Sequence, residues 1–117
     1  NLYLDAIISP SALNEDFYHE INSLAPFGSG NNEPKFVIEN IKVITSNIVG
    51  DNHVSAILLG NDGNKFRGFA WNVKNTPLES LLNKNNKKKF NIAGKLKMNE
   101  WHGEREIQFI IEDISTN

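Results

Sequence analysis

Three histidines, His19, His53 and His102, are the residues best suited to hold a metal or move a proton, and no two are adjacent. Absence of Cys removes thiolate ligands and disulfides. A zinc site from His53, His102 and a nearby carboxylate competes with plain surface placement, the commoner fate of isolated histidines. For His53, at the start of an apolar run, a structural hydrogen bond is the expectation. His102-Gly-Glu104 has the H-x-E spacing of zinc deaminases without the Pro-Cys-x-x-Cys that must accompany it. Gly28-Ser-Gly30 is not followed by Gly-Lys-Ser/Thr, so it reads as a tight turn at positive φ rather than a phosphate cradle. No catalytic constellation emerges, and no metal site is assigned.

Cations interleaved with aromatics are a better lead. Lys65, Arg67, Phe69 and Trp71 share one side of a strand by period-two counting. Single-strand nucleic-acid binding needs cations for phosphates and flat rings for bases. The competing reading turns Phe69 and Trp71 into the core, with Lys65 and Arg67 beyond its rim; inward is the expectation for the two rings, and the cations stay open. Trp101, beside His102 and near Arg105, either stacks on a base, contributing about 1–3 kcal/mol, or packs on the protein itself. Residues 83–89 hold four lysines (Lys84, Lys87, Lys88 and Lys89) and no acid. Such a loop attracts a polyanion in a salt-dependent way, although a merely solvated loop is the plainer reading. Lys95 and Lys97 add to the same positive side.

Charge is divided along the chain. Residues 1–34 carry five acids and no Lys or Arg, whereas residues 35–117 carry all 12 Lys and Arg against nine acids, so a net −2 conceals −5 and +3. Such contrast hints at nucleic-acid contact. An apolar content of 39% supports a packed core, and no apolar run nears the roughly 18 residues of a membrane span. Neither a signal pattern nor an initiator Met opens the chain, as expected for a piece of a longer one.

The elements that must position these residues follow from periodicity. Leu2–Ile8 reads as a strand. Asn14 is a good N-cap for a helix whose apolar stripe is Leu13, Phe17, Ile21 and Leu24. A strand and one helix cannot enclose a core, so this appendage must pack on the following domain or be the edge of a preceding one. Strands are predicted over 36–49, 53–59 and 65–73, the latter two joined by the Asn61-Asp62-Gly63-Asn64 hairpin turn. A short helix follows, with Thr76 as N-cap, Pro77 at its first position, and Leu78, Leu81 and Leu82 inward. Alternation over 90–98 and 104–114 gives two more strands. Strand, strand, strand, helix, strand, strand is the layout of a five-stranded OB barrel. An SH3-like barrel lacks a full helix between its third and fourth strands. The predicted fold is therefore all-β with minor α: an OB barrel over 35–117 with a strand–helix appendage in 1–34.

Leu24-Ala-Pro-Phe-Gly-Ser-Gly-Asn-Asn-Glu-Pro-Lys-Phe36 resembles the L-x-P-F-G-x-G-N-P-E-P-x-F segment of the RecJ family, single-strand-specific DNA exonucleases of the DHH superfamily. Asn32 replaces the first proline. Met98-Asn-Glu-Trp-His-Gly with Glu106-Ile-Gln-Phe-Ile-Ile-Glu-Asp113 resembles the family's ending, N-x-[aromatic]-x-G…L-Q-L-x-[apolar]-x-D. The resemblance implies that Pro26, Phe27, Gly28, Gly30, Asn31, Glu33 and Pro34 join a catalytic core to a C-terminal OB domain. It implies a parent 5′-to-3′ exonuclease of recombination and repair that uses Mn2+ or Mg2+, is cytoplasmic, and partners single-stranded DNA, its own catalytic core and single-strand binding protein. Its Asp-His-His metal motif has no counterpart here, so this region is expected to hold DNA through Lys65, Arg67, Lys87, Lys88, Lys89, Lys95, Lys97, Trp101, His102 and Arg105, and not to cut it. The alternative is a protein-interaction or core-bracing module.

Overall fold

A computed structural model describes residues 6–24 and 34–116. In chain order these form β1 (Ala6–Ile7), a 3-10 turn (Pro10–Ala12), α1 (Glu15–Leu24), β2 (Phe36–Val49), β3 (His53–Leu59), β4 (Lys65–Ala70), α2 (Pro77–Leu81), β5 (Phe90–Trp101) and β6 (Glu104–Ser115). The sheet order is β1-β2-β3-β4-β6-β5, and β5 pairs back onto β2, closing five strands into a ring. Closure uses one parallel contact, β4 on β6 at Gly68–Phe109 and Phe69–Ile110. A five-strand ring with a helix between its third and fourth strands is the predicted OB layout.

Alternation fills the interior. Ile38, Ile41, Leu58, Ala70, Phe90, Ile92 and Phe109 are all at most 1% exposed. The long β2 serves two neighbours, pairing with β5 through 36–41 and with β3 through 42–49. Register shifts between Ile38 and Ile41, and between Val43 and Thr45, bend it from one to the other. At the first bulge Asn40 takes φ 56°, and its N–H donates to Asn91 Oδ1 at 2.9 Å.

Three local expectations need correction. β4 stops at Ala70 rather than Val73, because Asn72 (φ 55°) and Asn75 (φ 65°) turn the chain. Val73 is thereby tucked inward, its N–H donating to the Asn52 carbonyl at 2.7 Å. Thr76 precedes Pro77 as predicted, but its hydroxyl donates back to the Val73 carbonyl at 2.6 Å instead of capping the helix. Only Leu82 of the three leucines is fully buried, whereas Leu78 and Leu81 are half-buried.

The N-terminal segment packs on the barrel. β1 adds in parallel to β2 at Ala6–Phe36 and Ile7–Val37. Pro10 lies so close to Gly60 that a Cβ there would come 2.3 Å from its ring. The Ser11 N–H donates to Asp62 Oδ2 at 3.1 Å. Asn14 does cap α1: its Oδ1 accepts the Phe17 N–H at 2.8 Å, a bond contributing on the order of 1 kcal/mol. Phe17 meets Phe36 edge-on, ring centres 5.7 Å apart, and Ile21 is buried. Leu2–Asp5 and the Leu24 side chain fall outside the described part.

Candidate nucleic-acid interface

β4 has apolar residues at both parities, so its inward face cannot be read from the alternation. Closure on β6 decides it. A Cβ at Gly68 would sit 2.8 Å from Leu58 Cδ1 and 2.9 Å from Ile111 Cδ1. A side chain there would crowd both, so glycine suits the position facing β6 across the interior, and the buried Phe66, Gly68 and Ala70 point in. Lys65, Arg67 and Phe69 consequently face out. This overturns the inward expectation for Phe69 and Trp71: Phe69 is half-buried on the outer surface, and Trp71 is 53% exposed.

The two rings form a cluster with His53, which pairs beside them on β3. Phe69 and Trp71 have centroids 4.6 Å apart at 65°, and His53 and Trp71 4.6 Å apart at 67°. His53 and Phe69 lie 6.4 Å apart. His53 Nδ1 accepts the Asn72 N–H at 2.9 Å, the structural bond expected of it. Next along β4, Arg67 Nη1 donates to Ser55 Oγ at 3.1 Å, and its Nε lies 3.5 Å from Glu106 Oε1. A concavity of about 550 Å³ opens here, lined by Ser55, Arg67, Phe69, Asn99, Arg105 and Gln108 together with Glu104 and Glu106. It can offer a ring edge, a guanidinium and several hydrogen-bonding groups to a polar chain. Ser55, Asn99 and Gln108 were missed, because strand pairing alone places them beside Arg67.

The remaining predicted residues divide. Lys65 is exposed at the start of β4, opposite Leu59. Lys87, Lys88 and Lys89 are exposed near that end, where Lys89 Nζ donates to Asn61 Oδ1 at 3.0 Å. Arg105 is turned toward α1, its Nη1 3.2 Å from Glu15 Oε1. His102 occupies the β5–β6 turn at φ 52°, followed by Gly103 at φ 80°. Lys95 and Lys97 stand on β5 opposite Ile110 and Gln108 of β6, beside a second groove that Trp71 also lines. Pro34 is buried. Pro26, Phe27, Gly28, Gly30, Asn31, Glu33 and the Trp101 side chain lie outside the described residues.

Electrostatically the surface is mixed rather than uniformly positive. Lys35 pairs with Glu112, so Lys35, Arg67 and Arg105 each face a carboxylate. Among the described residues Asp62 is the titratable group with a clear perturbation. The Asn64 backbone N–H foremost, helped by the Asn64 side chain and the Ser11 N–H, holds its carboxyl below the usual range.

Among the described residues no three His, Cys, Asp or Glu side chains gather as a metal would require. His53 lies by Trp71 at the end of β4, whereas His102 caps the hairpin leading into β6, whose start runs beside the start of β4. The two cannot share a zinc ion, and among the described residues the divalent metal implied by the resemblance has no donor set. No described helix is long and apolar enough to cross a membrane.

No curated protein matches the chain. The model of the RecJ OB domain matches it over residues 4–113, nearly its whole length and including the N-terminal segment that packs on the barrel. With that match, the parallel β4–β6 closure and the helix between the third and fourth barrel strands, the chain belongs to the RecJ OB domain family.

Proposed function

We propose that this OB domain holds single-stranded DNA for a RecJ-type 5′-to-3′ exonuclease acting in DNA recombination and repair in the cytoplasm. The observation that carries the reading is the outward cluster of Phe69, Trp71 and His53 with Arg67 beside it. Exposed aromatics next to cations bind strands without sequence choice, since every base offers a stacking face. The barrel's outer surface across its second and third strands is also where OB domains usually take oligonucleotides. Hydrolysis, with its Mn2+ or Mg2+, belongs to a catalytic core joined through residues 24–36. This chain's part is to grip and direct the strand. Titrating oligo-dT at low and moderate salt while following Trp fluorescence tests the reading. A salt-sensitive complex that prefers single strands to duplex is expected; no complex even at low salt rejects it.

A second reading, a protein-interaction or core-bracing module, draws support from the pairing of Arg67, Arg105 and Lys35 with carboxylates. Single-strand binding protein would be one partner on that reading. It predicts that neutralising Glu106 leaves DNA affinity at zero, whereas strand binding predicts an increase.

A further inference from the structure

We propose that Arg67 meets the single strand with the flat face of its guanidinium, stacking on a base rather than pairing with a phosphate. Ser55 and Glu106 are then positioning residues that hold the guanidinium for that contact. The inference rests on the strand-holding reading and deepens it by naming which part of the strand this cation takes. A guanidinium is planar and directs its N–H groups within that plane. Partners bound in the plane therefore occupy its edge and leave its faces for stacking. Arg67 is held in this way from two strands. Its Nη1 donates to Ser55 Oγ on β3 at 3.1 Å, and its Nε lies 3.5 Å from Glu106 Oε1 on β6. Ser55 stands diagonally across the β3–β4 ladder, opposite Phe69. Glu106 is itself steadied, because Gln108 Nε2 donates to the same Oε1 at 3.2 Å.

The side chain is 38% exposed and lines the concavity together with Phe69 and Asn99. Charge points to a base as well. A phosphate would have to compete with Glu106 for Arg67 and approach past Glu104, which lines the same concavity. A neutral base meets neither obstacle, and stacking on a cationic plane adds to what aromatic rings supply. Arg67 and Phe69 are successive outward residues of β4, about 6–7 Å apart along the strand. The guanidinium thus adds a third flat group to the touching pair of Phe69 and Trp71.

The test is a salt series of anisotropy titrations with labelled oligo-dT, using the parent chain, Arg67→Lys, Arg67→Ala, Glu106→Gln and Glu106→Ala. Arg67→Lys keeps the charge and loses the plane, so it should weaken binding as much as Arg67→Ala, about tenfold. Neither variant should change the slope of log K against log salt. Glu106→Gln keeps an oxygen for Arg67 and removes the negative charge, so it should bind more tightly than the parent. Glu106→Ala has the same charge but frees the guanidinium, and should bind less tightly than Glu106→Gln. NMR of the unmodified chain gives a readout that no folding defect can disturb: a stacked base should move the Arg67 Nε–H resonance upfield. A downfield move, with Arg67→Lys binding like the parent and Arg67→Ala lowering the slope by about 0.7, makes Arg67 a phosphate contact. That result overturns the inference and leaves strand holding in place, as does unchanged affinity in both Arg67 variants. Absence of any complex with the parent chain overturns both.

Discussion

His53 Nδ1 accepts the backbone N–H of Asn72 at 2.9 Å, tying the start of β3 to the left-handed turn that ends β4. The bond fixes the tautomer: with Nδ1 accepting, the proton of the neutral ring sits on Nε2. It also anchors the residue that follows Trp71, so the imidazole orients the indole both by edge contact and through the backbone. His53→Ala should cost about 1 kcal/mol through the lost hydrogen bond, measured by denaturant unfolding. In a Trp101→Phe background, Trp71 emission should shift to the red as the ring loses its neighbours.

Trp71→Ala should separate binding from folding. The ring is 53% exposed, so its removal should move the melting temperature little. Loss of one stacked base, on the order of 1–3 kcal/mol, should weaken oligo-dT binding about tenfold or more in a fluorescence-anisotropy titration with labelled oligomer.

Reversal of Lys87, Lys88 and Lys89 to Glu should do less. The loop lies by Asn61, at the opposite end of β4 from Trp71. Its lysines act on the strand at a distance, and salt screens that action within about 10 Å at 0.1 M. The expected loss is severalfold at low salt and vanishes at moderate salt; a loss as large as that of Trp71→Ala would move the strand's path to this end.

Asp62 links the N-terminal segment to the barrel, and its titration should loosen that link. Its carboxyl is held below the ordinary range, first by the Asn64 N–H. A depressed folded-state pKa gives stabilisation that is complete above the unfolded value, about 3.9, and is lost as pH falls through the folded value. Hydrogen exchange at the Ser11 and Asn64 amides should therefore hold steady from neutral pH to about 4 and lose protection only in stronger acid. Asp62→Ala, which removes both acceptor oxygens, should show the low protection throughout.

Gly94→Ala should be the more damaging of two glycine changes. Its Cβ would sit 1.8 Å from the Ile110 carbonyl oxygen, backbone that can yield only by opening β5 from β6. Gly68→Ala meets the side-chain ends of Leu58 and Ile111 at 2.8 and 2.9 Å, which can shift. Overpacking of the second kind costs about 1–3 kcal/mol, and thermal melts should place Gly94→Ala well beyond it.

Most strands were legible because they alternate and end in recognisable turns. β2 and β3 have the predicted bounds, and β5 and β6 begin where the alternation begins. The bulges of β2 were not, since a lone Asn40 inside a Val- and Ile-rich run is a weak signal, and β3 and β5 claim different halves of the strand. Lys65 and Arg67 could be found as candidate cations, whereas their ion-pair and hydrogen-bond partners come from sequence positions far away, as with Arg67 and Glu106 or Arg105 and Glu15.

Local information, the period of apolar residues and the chemistry of turns and caps, determined by itself the order of strands and helices and the OB layout they imply. Which way Phe69 and Trp71 point was decided by ring closure, because Gly68 lets β4 meet the side chains of β3 and β6 across the interior without crowding them. The aromatic cluster, the pairing of its neighbouring cations and the groove beyond Trp71 all follow from that long-range contact. No window of sequence contains both sides of it.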